Sequence, residues 1–350
     1  MSEVIIAKDE LGSFVGRLLE SYEVFGPVSR GGMYLFERIS APEELELSYK
    51  NSRLSPKGVF LPQSERMFEF TLAPGEEDRG ILKEVPKEFK QRILFGIRPC
   101  DAQAFNLVDV NFITKEYKDP WWARRREKAI LIGLGCNEPR STCFCTSTGG
   151  GPFSEKGLDI LLYDLGDSFL ARSLSDRGNE ILSHSSGKEP GEKEKEKVQK
   201  LEENSVSKIK RTLPVDRLKD KDLLELFNAK FWEDIEFACI NCGTCTFVCP
   251  TCWCFDIQDE VYKNEGDRLR NWDSCMFPIF TLHGSGHNPR AQKLQRVRQR
   301  FMHKLKYYVD KYGNGVACVG CGRCVVSCPV NIDIRRVIEI MATDVCEREE

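Results

Sequence analysis

A chain of 350 residues with 51 basic and 54 acidic side chains, formal net charge -3, is long enough for about two domains that each bury a core. That balance gives no global electrostatic case for nucleic acid or an anionic membrane as partner. The opening MSEVIIAKDELGSF has no basic region ahead of a long apolar run, and later runs such as AILIGLG are too short to span a bilayer. A cytoplasmic protein without an integral membrane segment is expected, and there the 16 cysteines stay reduced, so clustered ones read as metal ligands rather than disulfides.

In chain order, the first elements to stand out are ILFGI at 93–97, a helix over 101–110, AILIGLG at 129–135 and LDILLYDLG at 158–166. Apolar β-type runs alternating with polar helical stretches predict an α/β (or α+β) domain with at least some parallel strands. Cys100 follows the first run, Cys136 the second, and Cys143 and Cys145 sit in the loop PRSTCFCTSTGGGPF. Because α/β folds build their sites at strand ends, parallel strands would bring these thiols to one edge. The glycines at 149–151 would let backbone N–H groups approach a negatively charged cluster. Small buried apolar residues would look the same, and spacing leaves both readings open. Arg124, Arg125 and Arg126 read as a surface charge run, with contact to a phosphate-bearing cofactor as the sharper alternative.

Next comes SHSSGKEPGEKEKEKVQKLEENSVSKIKRTLP, with the composition of a solvated linker or exposed helix. It places a boundary near residue 212, between an α/β domain over 1–212 and an α-helical domain over 213–350. In the latter, LLELFNAKFWEDIEF, the segment 290–312 and IDIRRVIEIMATD carry apolar residues at spacings of three and four, predicting mostly helix around cysteine loops.

The strongest signal is a repeat. Cys239, Cys242, Cys245 and Cys249 follow C-x2-C-x2-C-x3-C-P, and Cys318, Cys321, Cys324 and Cys328 follow it again, closed by Pro250 and Pro329. Three thiolates on one tight loop cap three corners of an iron–sulfur cubane, and the fourth, displaced by the extra residue and the proline, reaches the other cluster. This assigns Cys239, Cys242, Cys245 and Cys328 to one [4Fe-4S] cluster and Cys318, Cys321, Cys324 and Cys249 to a second. Structural zinc usually pairs two separated C-x2-4-C hooks instead. The C-x3-C-x2-C spacing of Cys245, Cys249 and Cys252 also matches the radical S-adenosylmethionine loop, but it is embedded in the longer repeat and no chain of βα units follows. The 68 residues between the motifs read as helical, as in larger two-cluster ferredoxin domains.

GIRPCDAQAF, GLGCNEPRSTCFCTSTGGGPF, LYDLGD, CPTCWCFDIQDE and RNWDSCMFPIFTLHGSGHNPRAQKLQRVRQRFMHK, together with the paired motifs, resemble the beta subunit of cytosolic sulfhydrogenases and the A subunit of anaerobic sulfite reductases. The resemblance covers nearly the whole chain. It implies a non-catalytic electron-transfer subunit of a hetero-oligomer. Such a subunit runs between a flavin subunit that handles NAD(P)H, where FAD is expected, and a catalytic partner of nickel-iron hydrogenase or sirohaem sulfite reductase type. Related subunits are reused in heterodisulfide reductase assemblies. It also favours a third cluster on Cys100, Cys136, Cys143 and Cys145. Where the family often has AGGHNPR this chain has HGSGHNPR, and DPWWARRR follows Tyr117. Neither change removes a proposed ligand.

Other residues weigh less. Cys252, Cys254 and Cys275 could line one pocket with His283 or His287, but they lack regular ligand spacing and read more simply as buried thiols packed with Trp253, Phe255 and Phe277. Cys346 reads as an ordinary thiol, His184 as a linker residue, and His303 as a hydrogen-bonding or docking residue. The basic side chains from Arg290 to Lys306, interleaved with Leu294, Val297, Phe301, Met302 and Leu305, predict a helix with one buried stripe and a solvated or partner-facing basic side. Some of those charges would balance negative clusters. No G-x-G-x-x-G follows a strand, which puts the nucleotide sites in another subunit. Two alternatives to the electron relay remain: a catalytic iron–sulfur site reducing a disulfide or other small substrate, and a metal-free N-terminal docking scaffold.

Overall fold

The computed structural model describes residues 2–343, so Cys346 lies outside the described residues. The first half runs through β1 (Glu3–Ala7), α1 (Leu11–Ser21), β2 (Glu23–Arg30), β3 (Met33–Arg38), β4 (Ser64–Thr71) and the short β5 (Lys83–Glu84). It continues through β6 (Arg92–Ile97), α2 (Pro99–Phe112), α3 (Pro120–Glu127), β7 (Ala129–Leu134), β8 (Ile160–Asp164), β9 (Ser168–Ser173), α4 (Asp176–Ser183) and α5 (Glu192–Ser207). Seven strands form one sheet in the order β1-β9-β8-β7-β6-β2-β3. Its centre is parallel through β2/β6, β6/β7 and β7/β8, and its edges are antiparallel.

Side-chain alternation explains the layers. Ile93, Phe95, Ile130 and Ile132 pack on one face with Phe14, Val15 and Leu18 of α1 and Ile181 of α4. Leu94, Leu131 and Leu161 pack on the other with Phe105, Val108 and Phe112 of α2, Trp122 of α3 and Val198 of α5. Covered on both sides, β6 and β7 are buried along their whole length, which is why their sequences are apolar runs instead of alternating patterns. The charged stretch expected as linker or exposed helix forms α5, attached to this second face.

Beyond residue 212 come α6 (Leu223–Asn228), α7 (Phe231–Ala238), α8 (Thr244–Phe247), β10 (Phe255–Tyr262), β11 (Glu265–Trp272) and α9 (Lys293–Met302). A wide π turn (His303–Tyr307) leads into α10 (Tyr308–Tyr312), followed by α11 (Arg323–Ser327) and α12 (Ile334–Ala342). Trp232, Phe301, Met302, Leu305, Ile338 and Met341 form a third core that also contains Cys275 and Cys318.

One expectation needs correcting. The segment between the cysteine motifs, expected to be helical, begins with a β-hairpin in which β10 pairs with β11 through a turn where Lys263 has φ 56. Tertiary pairing decides this: β11 also pairs antiparallel with β4, giving a second sheet, β10-β11-β4-β5, built from segments on either side of residue 212. Buried Glu65 on β4 ties that sheet together, accepting from Arg270 of β11 at 2.6 Å, from Lys87 at 2.8 Å and from Arg125. Burial alone would raise the Glu65 carboxyl, but the bonds from Arg125 and Lys87 and the charge of Arg270 hold it at about 2. The Arg124–Arg126 run is spent in the same way: Arg124 pairs with Glu84 at 2.9 Å, Arg125 is buried on Glu65, and Arg126 pairs with Asp109 at 2.9 Å. It is therefore less of a surface run than expected. Among the described residues no helix is long and apolar enough to cross a membrane.

Candidate metal centre

The two cysteine repeats fold alike. In Cys239-Ile240-Asn241-Cys242-Gly243-Thr244-Cys245 the third and fifth positions have positive φ (Asn241 54, Gly243 73), and so do their counterparts Gly320 (63) and Gly322 (71) in the second copy. Glycine and asparagine are the residues that tolerate this region. The turns they make wrap each loop around a hollow before the short helices α8 and α11 begin. Backbone N–H groups already point at sulfur: Asn241 N lies 3.4 Å from Cys239 Sγ and Ile332 N lies 3.2 Å from Cys328 Sγ.

Three cavities result, and they form a row. The outer one is bordered by Cys239, Cys242, Cys245 and Cys328, with Cys242 exposed. The middle one is bordered by Cys249, Cys318, Cys321 and Cys324. Each thus takes three cysteines from one motif and the last from the other. Arg300, Cys324 and Ile334 border both cavities. The N-terminal cavity is bordered by Cys100, Cys136, Cys143 and Cys145, and Cys321 of the middle set borders it too.

The N-terminal four are gathered by topology. Cys100 sits in the first turn of α2, directly after β6, and Cys136 directly after β7, so the parallel pairing of those strands brings both to one edge. Cys143 and Cys145 arrive on the following loop, which docks on the second motif: Phe144 N–H donates to Gly320 O at 2.9 Å. A Cβ on Gly320 would stand 2.5 Å from Cys145 N, so only glycine permits this approach. Of the glycines expected to present N–H groups, Gly151 borders the cavity, whereas the Gly150 N–H is taken by Cys145 O at 3.1 Å. Beneath the site Arg323 of the second motif and Asp101, next to Cys100, form a two-bonded pair at 2.8 and 2.7 Å that is 1% and 0% exposed at the side chains.

The chemistry suits multi-iron groups. Among the described residues no three His, Cys, Asp or Glu side chains converge closely enough to hold a single metal ion. The four cysteines of each set border one hollow, as ligands at separate corners of a cubane would. Burial pushes the Cys143 thiol up to about 11 and Cys318 up to about 12, and raises Cys100, Cys136, Cys145, Cys321 and Cys324. Such thiols keep their protons at neutral pH until a metal displaces them.

The basic helix departs from expectation. Its basic side is largely turned inward, with Arg296, Arg300, Lys304 and Lys306 all buried. Arg296 satisfies itself on the carbonyls of Met276, Arg290 and Ala291, and Lys306 on those of Leu218 and Lys219 and on Asp310. Arg300 donates to Cys245 Sγ at 2.9 Å, and Lys304 to Thr251 Oγ1 at 2.8 Å and Ala317 O at 3.2 Å. Sequence reasoning missed Lys57, which carries no motif; its buried ammonium donates to Cys249 O at 2.9 Å and Cys252 O at 2.8 Å and lies 4.3 Å over the Trp272 ring. Cys252 contacts Cys249, and Cys254 contacts Cys275. His283 and His287 do not join them; both are exposed and meet each other at 5.4 Å. His184 is exposed, and His303 is packed edge-on to Trp253 at 5.5 Å.

Paired cysteine loops that exchange their fourth ligand-type residue define an iron–sulfur protein of the two-cluster class, and residues 238–332 match the 4Fe-4S dicluster domain family. The chain is also similar to Sulfhydrogenase 2 subunit beta of Pyrococcus furiosus, with 33% identity over 343 residues that cover 97% of this chain and 98% of the relative. It belongs to the sulfhydrogenase beta-subunit family. No solved structure matches it.

Proposed function

We propose that the chain relays electrons inside a cytoplasmic multi-subunit redox complex and does no bond chemistry itself. One neighbour is a flavin- and NAD(P)-binding subunit carrying FAD. The other is a catalytic subunit of hydrogenase, sulfite reductase or heterodisulfide reductase type. In this reading Cys239, Cys242, Cys245 and Cys328 hold one [4Fe-4S] cluster; Cys249, Cys318, Cys321 and Cys324 hold the second; and Cys100, Cys136, Cys143 and Cys145 hold a third. The α/β part over 1–212 carries the third site, and the part over 213–350 carries the other two. When bound, such clusters supply one-electron transfer at potentials set by charge, hydrogen bonds to sulfur and exposure.

The observation that carries the reading is the row itself: three hollows, each bordered by all four cysteines of its set, with the middle one sharing lining residues, Cys324 and Cys321 among them, with its two neighbours. The protein's part is to hold those sites in sequence, donate to sulfur from Asn241, Ile332 and Arg300, and keep water from the middle one. Iron and sulfide analysis of the anaerobically purified chain is expected to give about twelve irons per chain, four per cubane. Cys143→Ser should lose about a third of that iron and one EPR signal while the other two signals persist. An unchanged count would remove Cys143 from the ligand set, and a chain carrying zinc in place of iron would defeat the whole reading.

A further inference from the structure

Arg300 and Lys304 are an unusual pair of buried cations. They are 4% and 3% exposed and stand four residues apart, where α9 passes into the π turn. Neither meets a carboxylate among the described residues; their partners are the Cys245 thiol, the Thr251 hydroxyl and the Ala317 carbonyl. Arg300 Nη1 is buried with no hydrogen-bond partner among the described residues. Of the other buried cations at the cysteine sites, only Arg323 meets a carboxylate among the described residues; Arg98, whose Nε is also without a hydrogen-bond partner, and Lys57 stand singly on backbone carbonyls. Arg323 is matched by Asp101, and Arg98 spends Nη1 on Leu134 O and Gly135 O and lies 4.2 Å over the Tyr49 ring. Lys57 bonds to backbone carbonyls behind Cys249.

A buried positive charge without a counter-ion is strongly disfavoured, so two side by side imply a negative group between them. The position of that group is marked. Arg300 borders the outer and middle cavities, while Lys304 borders the middle one and not the outer. Lys304 also reaches the cysteine sulfurs through one hydroxyl: its Nζ donates to Thr251 Oγ1, which lies 3.3 Å from Cys249 Sγ.

Burial works against reduction at the middle site. Adding an electron there adds negative charge far from water, which lowers the potential just as burial disfavours any charged form. Left uncompensated, the middle of the row would be an uphill step between two more accessible stations.

We propose that Arg300 and Lys304 are potential-setting residues, which keep the buried middle station reducible so that electrons cross the row without a barrier at its centre. The proposal rests on the cluster reading above, and goes beyond it by assigning roles to two side chains that ligate nothing. Lys304 acts on the middle station alone. Arg300, lying between two cavities, acts on the middle and outer stations together.

The test is an EPR-monitored redox titration of the full chain, anaerobically purified and checked for iron, on the wild type and on Lys304→Gln, Lys304→Arg and Arg300→Gln. At a fixed potential Lys304→Gln should raise the oxidised-to-reduced ratio of one ferredoxin-type signal about tenfold, a fall of about 59 mV for a one-electron couple, with the others unmoved. Lys304→Arg should restore the wild-type midpoint, and Arg300→Gln should lower two signals. If Lys304→Gln loses the middle cluster, the Arg300→Gln titration decides alone. Variants with full iron and unmoved midpoints overturn the proposal and leave the cluster reading intact, whereas an iron-free wild type overturns the cluster reading first.

Discussion

The outer and middle cavities and the N-terminal cavity are each bordered by a full set of four cysteines, yet they are made in opposite ways. In the second half, two short loops with matching positive-φ positions at Asn241, Gly243, Gly320 and Gly322 do the work, and each copy completes the other. In the first half, Cys100 and Cys136 share a site because β6 and β7 are parallel neighbours, and Cys143 and Cys145 are held there by the second motif. Their charge schemes differ as well. Arg323 near the N-terminal site is matched by Asp101, while Arg300 and Lys304 at the middle one meet no carboxylate among the described residues. The N-terminal site sets one matched pair beside Arg98, which is held by the carbonyls of Leu134 and Gly135; the middle one carries two buried cations and no matched pair among its lining residues.

The largest test of this contrast removes the matched pair. Asp101→Ala leaves Arg323 buried without its carboxylate, bonded only to Ser52 O at 3.1 Å and Ser52 Oγ at 3.0 Å, and loss of one partner of a buried ion pair costs about 3–5 kcal/mol. Denaturant unfolding should show a loss of that order together with lower iron content. A loss below about 1 kcal/mol would mean that Arg323 is satisfied some other way. A smaller effect comes from Gly320→Ala, which adds a methyl at φ 63 against Cys145 N. Strain of about 1–3 kcal/mol is expected, with iron lost from the N-terminal site before the other two. Gly243→Ala sits at φ 73 in the first copy but meets the Phe277 ring, so it should spare the N-terminal iron. Equal loss in both variants would break the comparison.

The smallest effect is a pH dependence local to the second half. Burial lowers His303 to about 4, so it is neutral in the folded chain at pH 7. Below its ordinary value, near 6.5, the unfolded chain binds a proton that the folded chain refuses until about pH 4. Stability therefore falls as pH drops through that window. His303→Gln should flatten the acid limb of a thermal-midpoint profile by on the order of 1 kcal/mol; an identical profile would show that His303 does not carry it.

The same contrast explains what could be read from the sequence. The twofold C-x2-C-x2-C-x3-C-P spacing is local, so its eight cysteines and the exchange of Cys249 and Cys328 could be written down before any coordinates. The central strands were legible because burial on both faces leaves runs such as ILFGI and AILIGLG. Grouping Cys100, Cys136, Cys143 and Cys145 took a guess about parallel strands together with a family resemblance. The hairpin at 255–272 was missed because its partner, β4, lies almost two hundred residues earlier, and no local pattern announces a distant edge. That some charges of the basic helix would balance negative clusters could be read, but not that Arg300 and Lys304 are among those turned inward: a basic stripe looks the same whether water or sulfur faces it. Asp101 beside Cys100 and Arg323 inside a cysteine loop were the available hints, since charges so close to ligand-type residues seldom sit idle.

The pairing of β11 with β4 limits how this polypeptide can be taken apart. A fragment beginning near residue 212 would carry a two-stranded ribbon with one bare edge and no acceptor for Arg270, and the complementary fragment would leave Glu65 facing three cations with one missing. Gene fusions and truncations that treat the halves as interchangeable cartridges should therefore yield insoluble product, and evolution would have to pass both along in a single reading frame or re-engineer the seam.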